Sequence, residues 1–360
     1  MLAIAARTGS PRPAIVDVAE PATPGAGAVL CRSLEVGVCG TDRDILASQQ
    51  PLTPPGCEHL ILGHECLARV EKVGANVDAL RAGDLVTPVV RRPLRPSAVR
   101  VDMLPFGQFT ERGIVHEHGF ARPWFLDRPE FLFPVAAEIA SVAVFTEPLS
   151  IAEKGVNEAI LLQQARLGPQ AWTDPPPRAL VTGLGPIAFA AVLACRCRDW
   201  PVTVYGRDED TTFRAKLAQA FGAAYRPAAR FNFEPDDVER DGFDLVLECT
   251  GADEIMVRCA SVLASCGVMA WLGSHRRPEP AERNVALMMR HGVVRNHLHL
   301  GSVNAAPRDF ADALRRLAQL QATHPRELAS LITARVSPEE SLPHYERRPS
   351  QAVKTVIAFE

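Results

Sequence analysis

Short apolar runs broken by turn residues fill the first third of the chain, and they predict strands. Ala14–Val18 and Ala28–Val38 read as opening strands parted by Pro21-Ala22-Thr23-Pro24-Gly25. Ile61–Val73 and Leu85–Val90 follow, with Gly74-Ala75-Asn76 and Arg81-Ala82-Gly83-Asp84 as the turns between them. Residues 49–57, rich in Pro and polar groups, predict a surface loop, and nothing before residue 90 keeps a helical period for long. This part reads as β-rich and barrel-like. Residues 91–122 carry several Pro and Arg and no sustained period, which predicts an irregular segment with a functional role. A helical pattern sets in over Ala136–Ala165.

Beyond the stiff break Pro175-Pro176-Pro177 the texture changes to strands alternating with helices. Ala179–Thr182, Val202–Tyr205, Asp244–Cys249 and Val268–Leu272 predict strands, while Pro186–Asp199 and Thr212–Phe221 predict helices, the second closed by Gly222. Such alternation implies a parallel sheet with right-handed crossovers. The tail Ala352–Phe359 is strand-like and is expected to rejoin the first domain.

The first of those strands runs into Gly183-Leu184-Gly185-Pro186-Ile187-Ala188, a G-x-G-x-x-A sequence that opens a helix. Gly183 permits the tight turn, Gly185 lets the backbone approach a pyrophosphate, and the small Ala188 allows close packing of helix on strand. The helix N-terminus then faces the negative charge. The next strand ends in Tyr205-Gly206-Arg207-Asp208. Gly206 leaves room and Arg207 offers a cation, which favours the 2′-phosphate of NADP; the alternative keeps Arg207 in solvent and makes Asp208 the ribose acceptor of NAD.

At 360 residues the chain exceeds one typical core, and 47% hydrophobic content with mixed charge indicates a globular protein. A net charge of −3 supplies no field for nucleic acid and no polybasic membrane patch. No apolar run is long enough to span a bilayer, and Met1–Ser10 has no leader-like pattern, so a cytoplasmic protein is expected. The nine Cys are scattered without the spacing of a disulfide framework and are expected to be reduced. Cys195-Arg196-Cys197 reads as two thiols on a helix of the dinucleotide domain.

Three metal-competent stretches stand where apolar segments end: Val38-Cys39-Gly40-Thr41, Gly63-His64-Glu65, and Glu147-Pro148 after Val142–Phe145. A lone Cys is most often a small buried hydrophobe. Cys, His and a carboxylate with one open position, however, make a catalytic zinc arrangement, and beside a hydride acceptor that set suits alcohol oxidation.

These residues resemble the zinc-dependent medium-chain dehydrogenases, and among them the archaeal-type glucose 1-dehydrogenases. The likeness rests on Gly37–Ile45 (GVCGTDRDI), Leu62–Glu65 (LGHE), Glu111–Phe120 (ERGIVHEHGF), Glu147–Lys154 (EPLSIAEK), the Gly183 loop and Gly301–Asn304 (GSVN). It implies an α/β fold with a GroES-like β-rich catalytic domain over 1–173 and 305–360, a Rossmann domain over 174–304, and a cleft between them. It implies one catalytic zinc held by Cys39, His64 and a carboxylate, with Glu65 and Glu147 both at the metal, and Thr41 relaying the substrate proton. Glu65 is also a candidate catalytic group. Glu111, Glu147 and Asn304 are implied sugar contacts, and Gly183, Gly185, Pro186, Ile187, Ala188, Gly206 and Arg207 cofactor contacts. The resemblance also implies a homodimer or homotetramer. Many of them hold a structural zinc with four Cys in the lobe that here spans about 91–112; this stretch has neither Cys nor His, so no structural zinc is expected and the lobe should be held by packing alone. The implied reaction is oxidation of an aldose such as glucose at C1, with another polyol, an amino sugar or a simple alcohol as the alternative substrate. A non-catalytic NADP-binding protein and a metal-free reductase each predict a degraded metal set, whereas every member is present.

Overall fold

The computed structural model describes residues 1–97, 99–238, 241–274 and 285–359. They form two compact units, Met1–Glu147 with Asn304–Glu360, and Pro148–Val303.

The first unit opens with β1 (Leu2–Arg7), antiparallel to β2 (Ala14–Asp17). No polar alternation marks β1, because Ala3 through Ala6 are all buried. β3 (Val29–Gly37) follows, and α1 (Gly40–Ser48) forms in a part of the chain where the sequence shows no sustained helical period. Only Asp42, Ile45 and Leu46 of that helix are buried, too few to imprint a helical period. The single strand expected over Ile61–Val73 is two, β4 (His59–Ile61) and β5 (Glu65–Val73). Gly63 breaks it: φ is +85°, and a Cβ there would stand 2.6 Å from Val36 Cγ1. β6 (Leu85–Pro88) extends the sheet.

Residues 91–122 are more ordered than their pattern suggests. β7 (Arg91–Pro93), β8 (Phe109–Arg112) and β9 (His116–Glu117) make a small sheet of strands too short to show a period. Nor does packing alone hold the lobe, whose apolar cluster centres on Leu104, Phe109 and Val115. Buried arginines tie it down. Arg92 meets Asp127 at 2.8 Å, Arg112 meets Asp127 at 3.3 Å and Glu117 at 3.0 Å, and the Arg91 and Arg92 guanidiniums lie 3.8 and 4.1 Å from the Phe109 and Phe131 ring centres. An arginine–carboxylate–aromatic network thus stands in this lobe. β10 (Trp124–Asp127) and β11 (Leu132–Pro134) rejoin the main sheet.

A 3-10 stretch over Ala137–Phe145 leads into α2 (Thr146–Leu167). The second unit then alternates β12 (Ala179–Thr182), α3 (Pro186–Arg196), β13 (Val202–Gly206), α4 (Phe213–Ala220), β14 (Ala224–Pro227), β15 (Phe243–Glu248), α5 (Asp253–Cys259), β16 (Leu263–Trp271), α6 (Val285–Val294) and β17 (Leu298–Gly301). The strands lie in the order β14-β13-β12-β15-β16-β17 with every neighbouring pair parallel, the doubly wound arrangement of a dinucleotide domain. Most of α2 belongs to this unit rather than ending a first domain at residue 173. Gly155 packs against Leu272 on the strand side, and Gln163 Nε2 donates to the Cys266 carbonyl at 3.0 Å.

From Asn304 the chain is again in the first unit, through α7 (Pro307–Thr323), β18 (Ile332–Val336) and β19 (Lys354–Ala358). β19 runs antiparallel to β3, with Val356 opposite Gly37, so the tail lies beside the strand that carries the first metal-competent stretch. Ile4, Val36, Leu62, Val70, Phe120, Phe125 and Ile357 build the core beneath.

Candidate active site

Cys39 is the residue before α1, and its backbone N–H donates to Asp42 Oδ2 at 2.9 Å, which fixes the start of the helix. His64 stands in the break between β4 and β5, and Glu65 begins β5 directly opposite Gly37. That glycine is required, because a Cβ on it would overlap Glu65 Oε2. One ligand atom each from Cys39, His64 and Glu65 lies within 4.8 Å of the other two. Among the described residues this is the only group of three or more Cys, His, Asp or Glu side chains so arranged.

The donors fit a zinc ion chemically as well as spatially. His64 Nδ1 faces Asp42 Oδ1 at 3.5 Å, and among the described residues neither of these buried atoms has a hydrogen-bond partner. A carboxylate behind a ligating imidazole is the usual support of a metal-bound histidine. Burial disfavours a charged imidazole here, yet the Cys39 thiolate and Asp42 together outweigh it and hold the His64 pKa well above its ordinary value. Asp42 is likewise opposed by burial but held below the usual carboxylate range by His64. A cation in place of the imidazole proton satisfies the same negative groups.

Glu65 does not stand alone. Lys354 of β19, fully buried, donates to both its carboxylate oxygens at 2.6 and 2.5 Å. Glu147, at the first turn of α2, lies outside the 4.8 Å set but within the same field. Burial chiefly, with Glu65 and Glu111 adding to it against the lowering pull of His64 and Lys354, pushes its pKa from the usual 4.5 to about 7. Thr41 sits half-buried in the first turn of α1, two residues past the thiol.

Glu111 and Asn304 meet directly: Asn304 Nδ2 donates to Glu111 Oε1 at 2.8 Å, and Asn304 Oδ1 accepts the Ala305 N–H at 2.8 Å. Asn304 is in the left-handed region at φ +61°, a conformation that asparagine tolerates better than most residues.

In the second unit Gly183 adopts φ +98° and donates its N–H to Tyr205 O at 2.7 Å; Gly185 precedes α3, Pro186 is its first residue, Ile187 is half-buried and Ala188 is buried. Gly206 is enclosed, since a Cβ would stand 2.7 Å from the Tyr225 hydroxyl. Arg207 is exposed. Asp208 is gripped by Arg214, Nε to Oδ2 at 2.9 Å and Nη2 to Oδ1 at 2.7 Å, while its carbonyl accepts the Tyr225 hydroxyl at 2.6 Å. That grip takes up the carboxylate that the NAD alternative requires.

Sequence reasoning assigned no role to Asp42, Lys354, Arg91 or Arg214. The signal for Lys354 was a lone charge inside the apolar run Val353–Phe359. For Asp42 it was an acid three residues after the thiol, in the first turn of a helix that the pattern hid.

Residues 140–359 match the family model described as glucose dehydrogenase C-terminus, and residues 25–121 match the alcohol dehydrogenase GroES-like domain. The chain is 38% identical to a glucose 1-dehydrogenase of Thermoproteus tenax over 301 residues, covering 84% of this chain and 83% of the relative. It is 35% identical to glucose 1-dehydrogenase 1 of Caldivirga maquilingensis, covering 95% and 93%. Its fold is similar to that of Haloferax mediterranei glucose dehydrogenase in complex with NADP, Zn and gluconolactone: the TM-score is 0.85 and identity 28%, covering 100% of this chain and 99% of that one.

Proposed function

This chain belongs to the glucose dehydrogenase family of the zinc-dependent medium-chain dehydrogenases, and from that membership we propose that it oxidises an aldose, glucose first, at C1 to the lactone, with hydride passing to C4 of NADP and a proton to solvent. The observation that carries the reading is the convergence of Cys39, His64 and Glu65 on one buried point backed by Asp42. Those three side chains would hold the ion, with Glu147 at its edge. When bound, zinc supplies a Lewis acid that favours ionisation of a hydroxyl near neutral pH.

The chain's own residues do the rest. Thr41 takes the hydroxyl proton outward from the first turn of α1. Glu147, poised near pH 7, holds or releases a proton beside the reacting carbon. Glu111, held by Asn304, accepts from sugar hydroxyls, and a pocket built to hydrogen-bond a hydroxyl strongly rejects a substrate that lacks it. Gly183, Gly185, Pro186, Ile187 and Ala188 seat the pyrophosphate, and Gly206 with Arg207 admits the 2′-phosphate, so NADP is the preferred cofactor and NAD the weaker one. We read the assembly as a cytoplasmic homodimer or homotetramer that uses no nucleic-acid or membrane partner; among the described residues no helix is long and apolar enough to cross a membrane. The test is initial-rate NADPH formation on a panel of aldoses, polyols and simple alcohols. Activity greatest on glucose or a close aldose is expected, and activity confined to simple alcohols would overturn the sugar assignment.

A further inference from the structure

Glu111 Oε1 receives two hydrogen bonds and a further ion-pair contact from the same guanidinium. Arg91 Nε and Nη2 each reach it at 2.9 Å, and Asn304 Nδ2 at 2.8 Å. Among the described residues no donor meets Oε2. The remaining arm of the Arg91 fork, Nη1, donates to the Asp102 carbonyl at 2.9 Å, and its plane lies over Phe109 at 3.8 Å. Arg91 and Glu111 are direct cross-strand partners in the β7–β8 pair, both over nine-tenths buried. The guanidinium therefore has one orientation available, and the carboxylate it grips has one oxygen left.

We infer that Arg91 is a positioning residue for the sugar: it orients Glu111 with Oε2 turned to a substrate hydroxyl, and so sets which hydroxyl the enzyme reads. This rests on the proposed placement of Glu111 at the sugar. A planar guanidinium whose Nε donates to the carboxylate while its Nη1 is tied to a backbone carbonyl fixes the orientation of its partner, which a freely rotating ammonium does not. Asn304, bound at both ends of its amide, serves the same end, so the reading hydroxyl contact is Glu111's. Because the guanidinium is anchored to the Asp102 carbonyl and to Phe109, the shape of the lobe over 91–112 is transmitted to the substrate contact.

The test compares glucose with its monodeoxy analogues in wild type, Arg91→Lys and Glu111→Gln, with NADP affinity measured alongside. In the wild type one deoxy position should suffer most. Arg91→Lys should lose discrimination at that position by roughly tenfold, within the worth of one hydrogen bond to a charged group, while ratios at the other positions and NADP affinity hold. Glu111→Gln should collapse the same ratio, and the double variant should fall no further than Glu111→Gln alone. A uniform fall across all sugars in Arg91→Lys, or an unchanged ratio, would overturn the inference and leave Arg91 a structural residue. If Glu111→Gln itself leaves every sugar ratio intact, the placement of Glu111 fails instead. Arg91→Gln serves as the second variant should the lysine form not fold.

Discussion

Replacing Lys354 by Met tests how the site manages its buried charge. The substitution keeps the apolar stem volume but removes the group that, among the described residues, donates to both Glu65 oxygens, at 2.5 and 2.6 Å in a position where neither residue is more than 1% exposed. Removing one member of a buried pair costs about 3–5 kcal/mol, because the other charge is left uncompensated. The metal-free variant can escape by taking a proton onto Glu65, and that route limits the cost. Protonating a carboxylate of ordinary pKa near 4.3 costs about 3.7 kcal/mol at pH 7 and about 1 kcal/mol at pH 5. The variant apoprotein should therefore lose about 3–4 kcal/mol at pH 7, or roughly 6–16 °C of melting temperature for a unit of this size, and only about 1 kcal/mol at pH 5. The sign follows from linkage: a carboxylate whose folded pKa is raised favours the fold below its unfolded pKa and loses that advantage as pH rises. Denaturation of the chelated wild type, Lys354→Met and Lys354→Met/Glu65→Gln at both pH values measures it. A loss below 1 kcal/mol at pH 7, or an equal loss in the double variant, would refute the reasoning.

Two other outcomes follow from the site electrostatics. Zinc must displace protons from His64, whose pKa stands well above its ordinary value, and from Glu147, which titrates near 7, so zinc affinity of the apoprotein should climb as pH rises through 7, by roughly tenfold per unit for each proton released; calorimetry in buffers of differing ionisation enthalpy counts those protons. Without metal, Glu147 favours the fold below about pH 4.5, and that contribution is lost as pH climbs through about 7. In the dinucleotide unit, Arg207→Leu should lower kcat/KM for NADP about tenfold or more and leave NAD nearly unchanged, whereas Arg214→Leu should release Asp208 and improve NAD relative to NADP. Steady-state kinetics with both cofactors decides each, and equal losses on NAD and NADP would count against the assignment.

What the sequence made legible is local. Cys39, His64 and Glu147 were visible because each stands where an apolar run ends, and the Gly183 loop because strand, glycines and helix are contiguous. The parallel sheet followed from alternation alone. What stayed hidden depends on pairing at long range. Lys354 and Glu65 are 289 residues apart and Asn304 and Glu111 are 193 apart, and no periodicity links such positions. The β7–β8 lobe was hidden for the opposite reason: its strands are two to four residues long, and its arginines, which no period marks as buried, pack against Asp127, Glu111 and Phe109. The unit boundary lies at the start of α2 rather than at the Pro run, with Gly155 against Leu272 and Gln163 bonded to Cys266, contacts that the helix's own composition does not reveal.

The most direct measurement is NADP-dependent oxidation of glucose before chelation, after chelation, and after zinc is returned, with the lactone identified as product. Chelation should abolish turnover and zinc should restore it, while Cys39→Ser and His64→Ala should remain inactive at the same zinc level with NADP affinity intact. Turnover that survives complete removal of zinc would contradict the metal site built by Cys39, His64 and Glu65.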